Sequence, residues 1–265
     1  LLGIPRFVTS LTLDFVGVVL RLFQALGAVS NSVNKIINSH VHLSKLYEIL
    51  TGRNRLFKEN FIVDNELDEA IFFEDISFKY FNSDILIFEN ISLRIKKNSH
   101  TVLTGANGSG KSTLLGLIAG VYYSNKGKVH TYSDKFGYIG AYPLIFSDTL
   151  KANILYGNEN NISDEKILES LREFKIFKEE SNYKLDKVID NKSLSSGQMQ
   201  KIAFIRALLA DVEILLLDES TANLDDETRN FIFEILKQKD VTIINSTHDP
   251  EQFLSIDSHV NIDIV

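Results

Sequence analysis

The apolar residues of this chain keep three different rhythms, and each predicts a different kind of element. From Phe7 to Val29 the segment FVTSLTLDFVGVVLRLFQALGAV is dense in Leu, Val and Phe, and its only charges are Asp14 and Arg21. Seven positions apart, those two share one helical stripe. No uncharged apolar run there reaches the roughly 18 residues that identify a spanning helix, and no small-residue cleavage site marks it as a secretory signal. The segment has two readings: an amphipathic helix packed on its own protein, or a piece of membrane helix whose charged stripe faces other helices or water. Val33, Ile36, Ile37, Val41, Leu43, Leu46, Tyr47 and Leu50 continue at helical spacing, with Gly52 where a C-terminal cap is expected. The polar, mixed-charge stretch from Arg53 to Glu69 predicts a linker.

From Ile71 the texture changes. IFFEDISFKY and IFENISLRI alternate apolar and polar residues, as half-buried strands do. SHTVLTG predicts a strand feeding a glycine-rich turn, and STLLGLIAGVY an apolar helix after it. Between Ser163 and Phe177, Ile167, Leu168, Leu171 and Phe174 mark one face of a further helix. VEILLLD and VTIINS are continuous apolar runs, suited to parallel strands buried on both faces of a sheet. Strands alternating with helices indicate an α/β domain built on a parallel sheet.

Composition narrows the function classes. In 265 residues, 44% are hydrophobic and 24% charged, which excludes a disordered or collagen-like chain. The net charge of −7 argues against a nucleic-acid binder driven by phosphate neutralisation. With no cysteine, disulfides, thiolate zinc sites and cysteine nucleophiles are impossible.

The chemistry concentrates in GANGSGKST, Gly105 to Thr113, which fits G-x-x-x-x-G-K-[ST] between a predicted strand and a predicted helix. Gly105, Asn107, Gly108, Ser109 and Gly110 let the backbone wrap so that N–H groups point at phosphate oxygens, and the helix N-terminus adds its partial positive charge. Lys111 reaches the outer phosphates, Ser112 offers a hydroxyl to Mg²⁺, and Thr113 completes the phosphate and metal set. ILLLDE then places Asp218 and Glu219 just past a buried strand, the edge where parallel sheets put their ligands. Asp218 there holds Mg²⁺ through its water shell, and Glu219 orients or deprotonates the attacking water. Two acids after an apolar strand also serve as a helix cap. Ser195 and Gly197 open a helix, so that hydroxyl, N–H groups and dipole can face an anion, or simply cap it.

In order along the chain, these motifs resemble those of the ATP-binding cassette (ABC) ATPases, over about Ile71 to Val265. LSSGQ, Leu194 to Gln198, is similar to the family signature LSGGQ with Ser196 in place of a glycine. ESTANLDD resembles the D-loop with Asp225 in the aspartate position, and STHDP carries His248 where the family has its switch histidine. Tyr80 fits the aromatic that stacks on adenine. The resemblance implies an α/β P-loop NTPase of ABC type: a mixed sheet core, an antiparallel β subdomain and an α-helical signature subdomain, preceded by N-terminal helices. It also implies ATP and Mg²⁺ as cofactors. In the family two ATP molecules are sandwiched in a head-to-tail dimer, here homo- or heterodimeric, which implies that Lys111, Ser112 and Glu219 of one chain work with Ser195 of another, Gly197 and Gln198 belonging to the same nucleotide-binding set.

This sequence departs from the family at Ser196, in the loop KVIDNKS ahead of Leu194, which lacks the Gly-Glu pattern common in exporters, and at Ala141. Ala141 stands where a glutamine contacts Mg²⁺ and transmits nucleotide state, and no Gln occurs between Lys111 and Gln198. PLIFSDTLKANILYG, in contrast, resembles the exporter-type stretch that follows. Residues 1–52 resemble the end of an exporter's transmembrane domain, 53–69 a linker, and 70–265 the ATPase domain. Too little chain precedes the ATPase for a complete membrane domain, so the expectation is a fragment, a shortened product, or a subunit that relies on a membrane domain in cis or trans. The expected function is ATP hydrolysis coupled to movement of a lipid, glycolipid, peptide or drug, at the cytoplasmic face of a membrane and without nucleic acid. The alternative is a nucleotide-gated regulatory or scaffold module with little turnover.

Overall fold

The computed structural model describes residues 57–262 apart from 82, 159, 178–183, 222–223 and 254–255, together with 18, 19, 25 and 29. The chain divides into two units, Leu1–Leu56 and Phe57–Val265. In the first, Val18, Val19, Ala25 and Val29 are helical. The helix expected over 33–50, with its Gly52 cap, lies outside the described residues. Among the described residues no helix is long and apolar enough to cross a membrane.

The second unit runs β1 (Phe61–Val63), β2 (Glu69–Phe78), β3 (Phe88–Lys96), β4 (His100–Thr104), α1 (Lys111–Ile118), β5 (Lys126–Thr131), β6 (Phe136–Gly140) and β7 (Asp148–Thr149). It continues through α2 (Leu150–Leu155), α3 (Asp164–Glu173), β8 (Val188–Ile189), α4 (Ser196–Leu209), β9 (Ile214–Asp218), α5 (Asp226–Lys237), β10 (Thr242–Ser246) and β11 (Ser258–Asn261). β11, β4, β10, β9 and β6, in that order, form a parallel sheet. A second sheet, β1-β5-β2-β3, is antiparallel except where β1 joins β5. β7 and β8 form a third, two-stranded antiparallel sheet.

The continuous apolar runs do what both-face burial requires. Along β9, Ile214 and Leu216 enter one hydrophobic core with Leu103, Leu114 and Ile244, while Leu215 and Leu217 enter another with Ile202, Phe204 and Ile243. One strand therefore stitches two cores, because successive side chains point to opposite faces. On α3 the expected stripe is confirmed: Ile167, Leu171 and Phe174 are fully buried, and Ser163 caps the helix by accepting from the Lys166 N–H.

Two regions depart from expectation. Strand β2 alternates only in halves: Ile71 and Phe73 are buried, then Ile76 and Phe78, so the parity flips between them. The cause is a bulge between Phe73 and Ile76, where Asp75 takes φ 46°. Ser92 anchors it, its hydroxyl donating to Asp75 Oδ1 at 2.7 Å and accepting from the Asp75 N–H at 3.2 Å. An extra residue in one strand shifts every following side chain to the other face. Within the stretch expected as a linker, a 3₁₀ turn at Lys58–Asn60 leads into β1, whose three residues pair with β5. A strand that short shows no period in a sequence.

Candidate functional site at the sheet edge

Register sets the site. Leu103 of β4, Ser246 of β10, Asp218 of β9 and Gly140 of β6 lie in one transverse row at the carboxyl edge of the parallel sheet. The glycine turn therefore leaves β4 close beyond that row, and His248 leaves β10 at the same edge. Adjacent strands are about 4.8 Å apart, so β4 and β9, separated by β10 alone, lie about 10 Å from each other.

The turn is built as its sequence demands. Gly110, the N-cap of α1, has φ 105°, and a Cβ there would meet Phe88 Cζ at 2.8 Å. Gly108, at φ 84°, stands in open space at the exposed crown beside Asn107. Lys111 is buried and folds back under the turn, its Nζ donating to the Gly105 and Ala106 carbonyls at 2.8 and 3.1 Å. An ammonium has three donors, so one remains for an anion above. The Ser109 Oγ is buried with no hydrogen-bond partner among the described residues, a polar atom suited to a ligand oxygen. Ser112 is exposed in the first turn of α1.

Tyr80 and Thr113, both expected on the nucleotide, meet each other: their hydroxyls are 2.6 Å apart. The Tyr80 ring stands edge-on to Phe78 and Tyr122 at 5.1 and 5.4 Å, more than a third exposed.

Across the edge, the two acids take separate environments. Glu219 adopts a left-handed backbone, φ 53°, with its N–H donating to the Ser246 carbonyl at 3.0 Å. Such a conformation costs a non-glycine residue about 1–3 kcal/mol and persists where surrounding structure fixes it. Its Oε1 accepts from His248 Nε2 at 2.8 Å. A carboxylate only accepts, so the imidazole proton sits on Nε2. Asp218 Oδ2 accepts from the Tyr138 hydroxyl at 3.1 Å. Tyr138 is exposed as a residue, yet partial loss of water around its hydroxyl, then the Asp218 charge and hydrogen bond, push it up to about 12, so it stays a neutral donor.

The signature residues are not brought to the turn of their own chain. Ser195 N-caps α4, which packs on α2, α3 and β6. Its Oγ accepts from the Gln198 N–H, and Gln198 Oε1 accepts from the Ser195 N–H, a capping box. Gln198 Nε2 donates to the Ile176 carbonyl, so these contacts use half of the amide's two donors and two lone pairs. A Cβ added at Gly197 would meet only Leu224 Cδ2, at 3.8 Å. Asp225 caps α5 by accepting from the Thr228 N–H at 2.7 Å, which, with the Thr228 hydroxyl, holds its carboxyl below the usual range.

Sequence reasoning missed three polar side chains here. Tyr138 is one. Gln200 is buried in α4 and donates to the Gly140 and Ala141 carbonyls at 3.2 and 3.1 Å. Arg229, also buried, joins Asp226 to the Gln252 carbonyl and side chain, tying α5 to the turn after His248. A basic residue at helical spacing inside α5 was the only signal for the last.

A sequence profile described as ABC transporter matches residues 88–222, half of the chain, spanning the glycine turn, the signature and both acids. The chain belongs to the ABC transporter family. It is 31% identical over 246 residues to the lactococcin-A transport/processing ATP-binding protein LcnC of Lactococcus lactis, covering 83% of this chain and 34% of that protein. With the ATP-dependent lipid A-core flippase of Idiomarina loihiensis it shares 28% over 271 residues, 88% of this chain and 47% of the relative. The chain thus spans between a third and a half of the length of these two relatives. Among solved structures, a bacterial Atm1-family ABC exporter with ATP bound superposes with a TM-score of 0.66 at 21% identity, over 85% of this chain and 42% of that one. That likeness establishes the fold of an ABC cassette.

The residues present suit MgATP. Among the described residues no cluster of three or more His, Cys, Asp or Glu could hold a metal alone. Mg²⁺ rarely asks for one: it keeps several waters and is held by one or two protein oxygens plus substrate phosphates. Ser112 and Asp218 are donors of that kind.

Proposed function

We propose that this chain binds MgATP, pairs head-to-tail with a second cassette and hydrolyses ATP to drive a substrate across a membrane. The observation that carries the reading is the Glu219–His248 hydrogen bond at the sheet edge that also bears the phosphate-binding turn. In this reading Lys111 and the turn N–H groups hold the outer phosphates, exchanging the Lys111 contacts to Gly105 and Ala106 for ligand oxygens. Ser112 and Asp218 hold Mg²⁺, which when bound neutralises charge developing on the phosphate oxygens. Glu219 accepts the proton of the attacking water at Oε2, while His248 fixes the carboxylate through Oε1 and so orients it. Tyr80 turns from Thr113 to stack on adenine, which frees the Thr113 hydroxyl. Ser195 and Gly197 of the partner cassette close the site. In support, a Cβ at Gly197 would meet only Leu224 Cδ2, at an ordinary 3.8 Å, among the described residues, so its lack of a side chain suits close approach from outside.

The reading extends to transport at the cytoplasmic face of a membrane, with the membrane domain in cis or trans; the names of the two relatives, one a lactococcin-A transport/processing protein and one a lipid A-core flippase, support it and favour peptide and glycolipid among the substrate classes. Steady-state phosphate release tests the catalytic assignment. Glu219→Gln should lower turnover by about 10²–10⁴-fold, the range of a general base, and leave ATP binding intact. An unchanged rate rejects Glu219 as the base. A second reading, a nucleotide-gated module with little turnover, is favoured by Ala141, which follows Gly140 of the Asp218 row and offers no side-chain oxygen. ATP binding without phosphate release by the unaltered chain selects it.

A further inference from the structure

The carboxyl end of β6 lies against the metal-binding acid yet carries no polar side chain there: Gly140 pairs with Asp218 and Ala141 follows. The polar contact comes from two residues back. Tyr138 lies on the same face of the strand as residue 140, because side chains alternate. A Cβ on Gly140 would sit 3.4 Å from Tyr138 Cε1 and 3.5 Å from its hydroxyl oxygen. The ring therefore lies along the strand over the bare glycine, and its hydroxyl reaches Asp218 Oδ2 at 3.1 Å.

An aspartate carboxylate turns on a soft terminal torsion, so a fixed donor on one oxygen decides where the other points. We propose that Tyr138 is a positioning residue for the metal site, holding Asp218 by Oδ2 so that Oδ1 is left for the hydration shell of Mg²⁺. This rests on the MgATP reading above. Two effects of the hydrogen bond oppose each other. It draws charge from the carboxylate, which weakens attraction for a cation, and it orients the carboxylate, which strengthens binding. The proposal is that orientation wins, so the sign of the mutational effect decides it.

The test uses the full chain and Tyr138→Phe, which keeps the ring and removes the donor. A fluorescent ATP analogue is titrated first with EDTA and then at fixed nucleotide with increasing Mg²⁺. Binding of Mn²⁺ in the presence of ATP is followed in parallel by its electron paramagnetic resonance spectrum. Metal-free nucleotide affinity should stay within about twofold, while the Mg²⁺ needed for half-saturation rises about fivefold to tenfold, the size of one ordinary hydrogen bond's net contribution. The Mn²⁺ spectrum should change with it. Gly140→Val gives a second route, since its methyl groups occupy the space the ring crosses while the phenol remains; it should raise the Mg²⁺ requirement likewise. An unchanged or lowered requirement in Tyr138→Phe overturns the proposal and leaves the MgATP reading standing. Failure of the unaltered chain to bind nucleotide, or indifference of its binding to Mg²⁺, overturns that reading and the proposal with it.

Discussion

Three glycines of the site separate backbone strain from crowding when each is changed to alanine. Gly110 suffers both. At φ 105° its new Cβ would meet Phe88 Cζ at 2.8 Å and Ile87 Cγ2 at 3.0 Å, and Phe88, only 4% exposed, has no free space to retreat into. A left-handed non-glycine residue costs about 1–2 kcal/mol and overpacking about 1–3 kcal/mol, so Gly110→Ala should lose about 2–5 kcal/mol. Gly108, at φ 84° with nothing within 4 Å, should lose only the backbone share, about 1–2 kcal/mol. Gly197 lies in the first turn of α4 with Leu224 at an ordinary 3.8 Å, so alanine there should gain up to about 1 kcal/mol of helix propensity. The loss of unfolded-chain freedom is common to all three and cancels in the comparison. Urea midpoints at constant m-value read the order directly. A Gly110→Ala variant as stable as Gly108→Ala, or a Gly197→Ala variant that falls with them, refutes the reasoning.

Lys111→Ala should lower ATP affinity at least tenfold, because the outer phosphates lose their fixed cation; equal affinity in a fluorescence titration counts against that role. Asp225 is an acid whose folded state favours the charged form, through the Thr228 N–H first and the Thr228 hydroxyl second. Its contribution to stability is complete above the ordinary carboxylate range near about 4 and is lost as pH falls through the lower folded value. The stability gap between the unaltered chain and Asp225→Asn should therefore shrink between about pH 5 and about pH 3; a gap constant across denaturation curves in that window removes the assignment.

What the sequence disclosed was chemistry held within one stretch of chain. The turn Gly105 to Thr113, the acids at the end of β9 and the signature at the start of α4 are each contiguous, so their spacing alone places them on a strand end or helix start. The runs VEILLLD and VTIINS became β9 and β10, buried as their unbroken apolar character requires. Contacts between strands were illegible, because they depend on register. Tyr138 reaches Asp218 only since Gly140 pairs with that acid, and the bulge at Asp75 reverses a parity that the letters alone continue. Gln198 is a further case: the letters did not disclose that its amide joins a capping box and reaches the Ile176 carbonyl.

The strand order has a consequence for how the protein is made. β4, which launches the phosphate-binding turn, has as its neighbours β10 and β11, both from the last stretch of the chain. More than half of the sequence separates β4 from the nearer of them. On the ribosome, β4 emerges with both edges unpaired and waits until Thr242–Ser246 has been made before either is covered. Such distant pairings are slow to form, and open strand edges invite misassociation meanwhile. A nascent chain halted anywhere before Ser258 lacks one wall of the strand that carries the turn, so the turn gains its full support only after β11 has emerged.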